Sequence, residues 1–306
     1  MKPLRIIFMG TPDFAIPSLK KLVENGFNVV AVITAPDRPR GRGQKLIPSP
    51  VKTYALENNL PVLQPTNLKS EELIDNLDKY NANLHVVVAF RMLPESIWSK
   101  PEYGTFNLHA SLLPQYRGAA PINWALINGE HETGVTTFFI KHEIDTGSII
   151  HQCTANISED DDAGTLHDKL MVIGSELVLK TVKSIEAQDY QLKIQNDYPG
   201  LKRAPKIFKE MCEIDWTKSG DQIHNFVRGL SPYPGAWTEI NGKTYKIYKV
   251  RQVSDQETLG KQGTFHTDSK KYLNFQAGES LVQIIEIQPP GKRRMHIEEF
   301  LRGNKL

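Results

Sequence analysis

The sequence has few of the features that mark secreted, metal-binding or membrane proteins. Its 306 residues include only two cysteines, Cys153 and Cys212. They are far apart and belong to no paired spacing, so neither a zinc site nor a disulfide framework is indicated. The apolar run "IIFM" near the start is too short for a signal-peptide core, and no segment approaches the roughly 20 apolar residues that cross a bilayer. We therefore expect a cytoplasmic protein without a targeting or membrane segment.

Several motifs of catalysis and cofactor binding are also missing. "MGTPDFA" holds only Gly10 and lacks the three-glycine dinucleotide pattern, so no nicotinamide or flavin cofactor is expected. No G-x-S-x-G elbow surrounds Ser111, and neither cysteine has a basic neighbourhood, which argues against covalent catalysis. The acidic run "SEDDDAG" precedes a helix predicted from about Gly164 to Ala187. Carboxylates stabilise a helix N-terminus, so this run is expected to cap the helix, and no metal site is predicted.

The chain does contain a regular alternation of apolar strands and helical patterns. Runs such as Val86-Val87-Val88 are typical of strands buried on both faces of a parallel sheet. Residues 1–189 are predicted to form a doubly wound, Rossmann-like α/β domain with a mostly parallel sheet. Residues 190–207 are expected to form a linker. Residues 208–306, with an Asn241-Gly242 hairpin turn between short strands, are predicted to form a small OB-like β-barrel.

Positive charge is concentrated in two places. Residues 201–306 contain 18 Lys and Arg against 12 Asp and Glu, whereas residues 1–200 contain 19 against 23. This asymmetry favours a polyanion-binding face on the second part, with a solvated surface as the alternative. The loop "APDRPRGRGQKLIPSP" is also basic, and a loop of this kind can clamp a phosphate backbone. Its cationic residues are Arg38, Arg40, Arg42 and Lys45. The cluster Lys292-Arg293-Arg294 is either a further phosphate contact or a solvated hairpin tip.

Three polar residues are suited to acyl transfer. In "TFNLHA", Asn107 and His109 point to the same face of a strand, at the edge where parallel sheets bind ligands. Asp145 follows in a strand-end turn, "IDTG". When an amine attacks a carbonyl, Asn107 can donate to the developing oxyanion, His109 can take the proton, and Asp145 can orient the imidazole. The alternative for the Asn–His pair is a structural pair whose hydrogen bonds are satisfied within the fold.

Longer motifs strengthen the catalytic interpretation. "FNLHASLLPQYRGAAPINWALINGE" and "GVTTFFIKHEIDTGSII" resemble the folate-dependent formyltransferase superfamily, whose signature is N-x-H-x-S-L-L-P-x-Y/W-R-G, then P-x-x-W-A, then I-D-x-G. "FMGTPDFA", "PDRPRGRGQKLIPSPVK" and "RGLSPYPGAW" resemble the members that formylate methionyl-tRNA. The resemblance covers nearly the whole chain. It implies transfer of a formyl group from 10-formyltetrahydrofolate to the α-amine of methionyl-initiator tRNA, for translation initiation and without a metal.

The resemblance also assigns binding residues. The catalytic Asn, His and Asp of the superfamily fall on Asn107, His109 and Asp145. Folate contacts are implied for Ser111, Leu112, Leu113 and Pro114, and for the segment Arg91, Met92 and Leu93. "FRML" departs from the aromatic-Gly pair expected in the tRNA enzymes, so backbone contacts to the pterin are expected there. Lys206 matches a linker position near the bound tRNA, and Arg42 matches the main Arg of the loop that contacts the acceptor stem.

Other acceptors and a non-catalytic role remain open at this stage. The rival substrates are glycinamide ribonucleotide, an amino-sugar nucleotide and water. The glycinamide enzyme needs no second domain, and the sugar enzyme offers no reason for the Arg-rich loop. A tRNA-binding protein on a spent catalytic scaffold is the alternative from a different class, against which the intact Asn107, His109 and Asp145 argue. The oligomeric state is left open by the sequence, and a monomer is our expectation.

Overall fold

The computed structural model of the chain describes residues 2–40, 44–253, 260–304 and 306. The chain divides into two compact units that alternate along the sequence. The first unit consists of Met1–Arg117, Gly134–Ala155 and Asp168–Lys202. The second consists of Gly118–Thr133, Asn156–His167 and Arg203–Leu306. The division predicted from the sequence, into domains 1–189 and 208–306 joined by a linker at 190–207, stays a prediction.

Strands and helices alternate through the first two thirds of the chain. In order they are β1 Arg5–Gly10, α1 Ile16–Glu24, β2 Asn28–Ile33, β3 Arg38–Arg40, β4 Lys45–Ile47, α2 Pro50–Glu57, β5 Val62–Leu63, α3 Glu71–Lys79, β6 Leu84–Val88, α4 Glu95–Trp98, β7 Thr105–His109, β8 Arg117–Gly118, α5 Pro121–Ile127, β9 Glu132–Phe139, β10 Ile149–Asn156 and α6 Ala163–Ala187.

A seven-stranded sheet organises this part of the chain. Its strand order is β10-β9-β7-β6-β1-β2-β5. Strands β7, β6, β1, β2 and β5 pair in parallel, and β9 pairs antiparallel to β7. All five residues of β6 are buried, which is why its sequence is an apolar run instead of an alternating pattern. The predicted Rossmann-like, mostly parallel sheet is confirmed.

Local sequence signals set the helix starts. Ser49 caps α2 by accepting a hydrogen bond from the Lys52 N–H at 3.0 Å, directly before Pro50 at the first helical position. Before α6, the Asp162 carboxylate accepts the Thr165 N–H at 2.9 Å. Asp161 accepts the Ser158 N–H at 2.7 Å. Within the acidic run, Asp162 therefore caps the helix, and Asp161 closes the turn that precedes it.

The remainder of the chain is rich in antiparallel strands. Its elements are β11 Arg203–Ala204, α7 Gly220–Leu230, β12 Ala236–Ile240, β13 Lys243–Val253, β14 Phe265–Thr267, β15 Leu273–Ala277, β16 Ser280–Gln288, β17 Met295–His296 and α8 Ile297–Gly303. The sheet has the order β12-β13-β16-β15-β14, with β17 added on β16.

This second sheet is a curled half-barrel around an apolar core. Phe275 and Phe300 are fully buried in it, and Trp216 stacks on Phe275 with ring centroids 4.2 Å apart. Asn241 and Gly242 both have positive φ, which fits the tight turn between β12 and β13. The prediction of a C-terminal β-rich domain is confirmed. Across the described residues, no helix is long and apolar enough to span a membrane.

Candidate active site

Asn107 and His109 project from the same face of β7, at the carboxyl end of the parallel strands. Successive side chains of a strand alternate in direction, and the neighbouring residues Phe106 and Leu108 are buried on the other face. His109 is buried, whereas Asn107 is half-buried. His109 ends the strand, so its ring lies where open α/β sheets bind their ligands.

The two ring nitrogens of His109 face different oxygens. Nε2 lies 2.8 Å from the backbone carbonyl oxygen of Tyr116. A carbonyl oxygen only accepts, so Nε2 carries a proton and donates it. Nδ1 lies 3.8 Å from Oδ2 of Asp145, beyond direct hydrogen-bond length. The neutral ring therefore presents an unprotonated Nδ1 toward a carboxylate, ready to accept a proton from a group placed beside it.

The Asp145 loop has a conformation that few sequences permit. Asp145 has a φ of +55°, in the left-handed region that Asp and Asn tolerate better than most residues. A Cβ at Gly147 would lie 1.6 Å from the backbone oxygen of Phe139, so only glycine fits. The Phe139 N–H donates to the Ser148 carbonyl at 3.0 Å and closes the loop. The Asp-Thr-Gly sequence thus explains how a carboxylate is brought to His109.

The Ser111–Pro114 segment is held in place by its own hydrogen bonds. Ser111 is fully buried and its hydroxyl donates to the Gln115 carbonyl at 2.6 Å. The Leu113 N–H donates to Oγ1 of Thr136 at 3.1 Å, and Gln152 Nε2 donates to the Leu113 carbonyl at 2.9 Å. The hydroxyl of Ser111 therefore shapes the loop from inside. Leu113 is buried, and Leu112 and Pro114 are half-buried.

The segment Arg91–Leu93 lies outside helices and strands, directly after β6. The Arg91 guanidinium donates to the backbone carbonyls of Thr66, at 3.0 Å, and Pro65, and partial burial lowers the pKa of Arg91. The side chain of Met92 is 73% exposed and that of Leu93 is buried. Because the Arg91 side chain is engaged by the fold, the backbone of this segment is the part suited to bind a pterin ring, which has both donors and acceptors.

Comparisons with known proteins place this geometry in a family. The family model "Formyl transferase" matches residues 4–182, and the model "Formyl transferase, C-terminal domain" matches residues 206–305. The chain belongs to the formyl transferase family. A methionyl-tRNA formyltransferase of Bacteroides thetaiotaomicron is 51% identical over 99% of this chain and 96% of its own length. One of Flavobacterium johnsoniae is also 51% identical, over 99% of this chain and 97% of its own.

A solved structure agrees on the fold. WlaRD, a sugar 3N-formyl transferase crystallised with dTDP and 5-N-formyl-THF, superposes with a TM-score of 0.69 over 96% of this chain and all of that one. The two sequences are 21% identical, so this likeness concerns the fold. The segments Arg91–Leu93 and Ser111–Pro114 follow β6 and β7, which are neighbouring strands of the sheet.

In this formyl transferase the basic loop is partly an antiparallel ribbon. Strands β3 and β4 pair with Arg38 opposite Ile47 and Arg40 opposite Lys45. Arg38 is exposed, while Arg42 lies outside the described residues. Asp37, the acidic residue of the loop, forms a 2.6 Å ion pair with Lys52 on α2 and accepts a hydrogen bond from Gln64. These hydrogen bonds hold the pKa of Asp37 below its usual value, and its negative charge is balanced by Lys52. The ribbon therefore keeps its positive charge.

Three of the four cationic candidates of the second unit have local side-chain partners. Lys206 Nζ lies 5.3 Å from the ring centre of Phe208. Lys292 is exposed in the turn between β16 and β17. Arg293 pairs with Glu299, and Arg294 pairs with Glu286 while lying over the Tyr248 ring at 4.6 Å. Two positive charges of this cluster thus lie beside carboxylates.

Some functional features could not be found by motif reading. Tyr116 contributes only a carbonyl oxygen, which no side-chain pattern reveals. Gln195 donates to the Asp145 carbonyl from 50 positions along the chain, in a stretch whose composition indicates a linker. The residues the structure describes contain no group of three or more His, Cys, Asp or Glu side chains arranged to hold a metal ion.

Proposed function

We propose that this chain transfers the formyl group of 10-formyltetrahydrofolate to the α-amine of methionyl-initiator tRNA. The acceptor rests on one observation, which is that relatives named methionyl-tRNA formyltransferase share about half of all residues over nearly the full chain. The chemistry rests on the His109 ring between the Tyr116 carbonyl and Asp145. A protein that only binds tRNA, without catalysing formyl transfer, would not need these groups.

The proposed steps divide between three side chains. The amine must be neutral to attack, and it loses a proton as the new C–N bond forms. Nδ1 of His109 accepts that proton, because Nε2 is already protonated and donates to Tyr116. The Asp145 carboxylate, 3.8 Å away, stabilises the positive imidazolium that results. When the bond between the formyl carbon and the donor nitrogen breaks, His109 gives this proton to that nitrogen, so tetrahydrofolate leaves with an N–H and the ring is neutral again. Asn107 donates its amide N–H to the formyl oxygen as negative charge develops there, an effect worth about 3 kcal/mol for one donor.

We assign the donor to the loops beside this site. When bound, 10-formyltetrahydrofolate supplies the activated formyl group. The segment Ser111–Pro114 and the backbone of Arg91–Leu93 would hold it, since both follow strands next to each other in the sheet. The hydrogen bonds of Ser111 and Leu113 fix the loop before the donor arrives. Binding of the donor then causes little further loss of conformational entropy in this loop.

We assign the tRNA to the basic residues of both units. Those in the first unit are Arg38, Arg40, Arg42 and Lys45; those in the second are Lys206, Lys292, Arg293 and Arg294. In this proposal residues 1–189 carry catalysis, 190–207 connect, and 208–306 contribute tRNA binding. Both cysteines are free thiols, Cys153 exposed and Cys212 buried, which fits an enzyme of the reducing cytoplasm.

Formyl transfer from labelled 10-formyltetrahydrofolate tests the proposal. Methionyl-initiator tRNA, methionyl-elongator tRNA, glycinamide ribonucleotide, an amino-sugar nucleotide and a reaction without acceptor are run side by side. Label on initiator methionyl-tRNA alone is the expected result. Label on a small amine, or release of formate without an acceptor, would overturn the tRNA assignment and keep the chemistry. Binding of tRNA without any turnover would favour the non-catalytic alternative.

A further inference from the structure

The segment that follows α6 contacts the two parts of the chain whose oxygens face the ring nitrogens of His109. Composition indicates a linker here, yet the described structure builds residues 193–202 into the first unit. Lys193 pairs through its backbone with Ile149, with N···O distances of 2.8 and 2.9 Å. Beyond this bridge the segment meets the Asp145 loop and the Tyr116 turn in succession. We call residues 193–202 the strap.

The first contact is made by Gln195 with the Asp145 loop. Its Nε2 donates to the backbone carbonyl of Asp145 at 3.0 Å and to that of Gly147 at 2.7 Å. These two carbonyls flank Thr146, so one amide group holds both ends of the turn. Asp145 has a positive φ, and Gly147 packs directly on the Phe139 backbone. The Gln195 amide therefore fixes a loop whose conformation is restricted on both sides.

Arg117 sets the orientation of that amide. It is almost completely buried, and its Nε donates to Oε1 of Gln195 at 3.0 Å. Its Nη1 donates to Asp197 Oδ1 at 2.7 Å. Guanidinium nitrogens only donate, so the oxygen of the Gln195 amide must face Arg117 and the NH₂ group must face the loop. The opposite orientation would place donors against donors.

The second contact holds the Tyr116 carbonyl. The Tyr116 N–H donates to the Lys202 carbonyl at 2.8 Å, and the Lys202 N–H donates to Oε1 of Gln115 at 2.8 Å. Nε2 of Gln115 donates to the Tyr198 hydroxyl at 2.9 Å. Tyr116 has a φ of +60°, in the left-handed region that few residues adopt, and the bond from its N–H to Lys202 supports this turn. The strap thus fixes the oxygen that accepts from His109 Nε2 as well as the loop that carries Asp145.

We infer that Gln195 is a positioning residue that sets the Asp145 carboxylate against Nδ1 of His109. The strap contacts the chain on both sides of the His109 imidazole, and Gln195 is the side chain that contacts the loop carrying the Asp145 carboxylate. A shift of about 1 Å in a catalytic group can reduce turnover about a hundredfold. The 3.8 Å separation of Nδ1 and Oδ2 is sensitive to small movements of the Asp145 turn. This inference rests on the proposed catalytic roles of His109 and Asp145.

Two substitutions at Gln195 separate positioning from support of Arg117. Gln195→Ala removes both donated hydrogen bonds. Gln195→Glu keeps an oxygen for Arg117 but presents a carboxylate to the Asp145 and Gly147 carbonyls. The matched control is Ile194→Ala, because the adjacent side chain is 73% exposed. We expect kcat to fall by about tenfold or more in both Gln195 variants, with KM for both substrates within about twofold of wild type. The control should keep the wild-type kcat.

A second readout does not depend on turnover. The ¹⁵N chemical shifts of the His109 ring, measured in labelled protein at one pH, report the surroundings of Nδ1. We expect them to move in Gln195→Ala and Gln195→Glu and to stay unchanged in Ile194→Ala. A wild-type kcat in Gln195→Glu would show that Gln195 serves only Arg117 and would overturn the inference. Unchanged His109 shifts in both variants would also overturn it.

The two proposals fail in distinguishable ways. If wild-type protein formylates a different amine, the tRNA assignment fails, and the Gln195 comparison proceeds with that amine. If wild-type protein formylates methionyl-tRNA and the Gln195 variants match it in kcat and in His109 shifts, only the positioning inference fails. Urea unfolding of each variant accompanies the kinetics. A kcat loss that disappears when activity is normalised to folded protein counts against positioning.

Discussion

His109 illustrates how one carbonyl oxygen determines the use of a side chain. An isolated imidazole exchanges its proton between two nitrogens, whereas the 2.8 Å contact with Tyr116 reserves the proton for Nε2. In the proposed mechanism the base is then Nδ1, the nitrogen that faces Asp145. Edge-on packing against Phe138, with ring centroids 6.5 Å apart, restricts the ring further. Residue identity alone would leave both nitrogens equivalent.

Removal of the Asn107 amide should affect turnover more than binding. In Asn107→Ala the donor to the developing oxyanion is lost, and kcat should fall by about 100- to 1,000-fold. The Kd for methionyl-tRNA should change by less than about threefold, because the lost interaction belongs to the transition state. Steady-state kinetics and a filter-binding measurement check these values. A comparable loss of affinity and of kcat would identify Asn107 as a binding residue.

Buried His85 should make the protein sensitive to mild acid. It lies on β6 with 2% exposure, and burial, aided by repulsion from Lys100, lowers its pKa from 6.5 to about 4. Below pH 6.5 the unfolded chain takes up a proton that the folded chain refuses until about pH 4. The free energy of unfolding should therefore fall by at most about 3 kcal/mol as the pH decreases across this interval.

A variant isolates this effect from that of other groups. Urea unfolding at pH 7, 5.5 and 4.5 is compared for wild type and His85→Gln, which cannot take up the proton. The variant should be less stable at pH 7, because a packed ring is lost from the core. Its stability should fall less steeply with acid. Parallel pH profiles for the two proteins would mean that His85 does not contribute.

At the scale of elements, the turn between β9 and β10 is the most constrained piece of the site. Gly147→Ala places a methyl group against the Phe139 backbone oxygen, which cannot move without disturbing β9. We expect a loss of about 1–3 kcal/mol in unfolding free energy, the usual range for overpacking. The kcat should fall as well, because Asp145 moves with the turn. Denaturant titration and kinetics measure the two effects.

Gly303→Ala is the matched control for Gly147→Ala. A methyl group at Gly303 meets nothing within 4 Å, so stability and kcat should stay close to wild type. If Gly147→Ala and Gly303→Ala had the same unfolding free energy and kcat, the close approach at Gly147 would not be what restricts the conformation of the turn. Wild-type kcat in Gly147→Ala would likewise contradict a fixed position for Asp145.

Elements with local signals could be predicted from the sequence, and those held by distant contacts could not. Helix α6, predicted from Gly164 to Ala187, spans Ala163–Ala187, because its periodicity is internal and its acidic cap directly precedes it. The Asn241-Gly242 turn is equally local. The strap has no periodic pattern, and its hydrogen bonds to other segments reach residues 44 to 87 positions away. Strands β3 and β4 are three residues long, carry charged residues, and are separated in sequence by Gly41 and Gly43, so the composition indicates a loop.

The candidate site divides in the same way. Asn107, His109 and Asp145 carry reactive side chains at strand ends, which motif reading detects. Their catalytic roles stay predictions until the kinetics above are measured. Tyr116 offers a backbone oxygen and Gln195 donates to backbone carbonyls, so neither residue belongs to a pattern of reactive side chains. Only the three-dimensional structure brings them to the site.

At the scale of the whole molecule, charge should govern tRNA recognition. Contacts from Lys and Arg to phosphate release counterions, so log affinity should fall linearly with log salt, by about 0.9 per phosphate neutralised. Arg38→Ala should weaken tRNA binding and make this slope shallower by about one, while KM for the folate donor stays unchanged. Lys20→Ala is the control, because Lys20 already pairs with Glu24 on α1. Equal slopes in all three proteins would remove Arg38 from the interface.

The interleaving of the two units limits how the chain can be divided. Helix α5 belongs to the second unit, where Asn123 donates to the Gly229 carbonyl at 2.8 Å and Ile127 packs on the apolar core. Arg228 likewise donates to the carbonyl of Ser158, far upstream in sequence. A fragment starting at Arg203 would leave that core partly uncovered. A single crossover between two genes of this family would therefore exchange incomplete structural units. A viable chimera needs all three segments of a unit to come from the same parent.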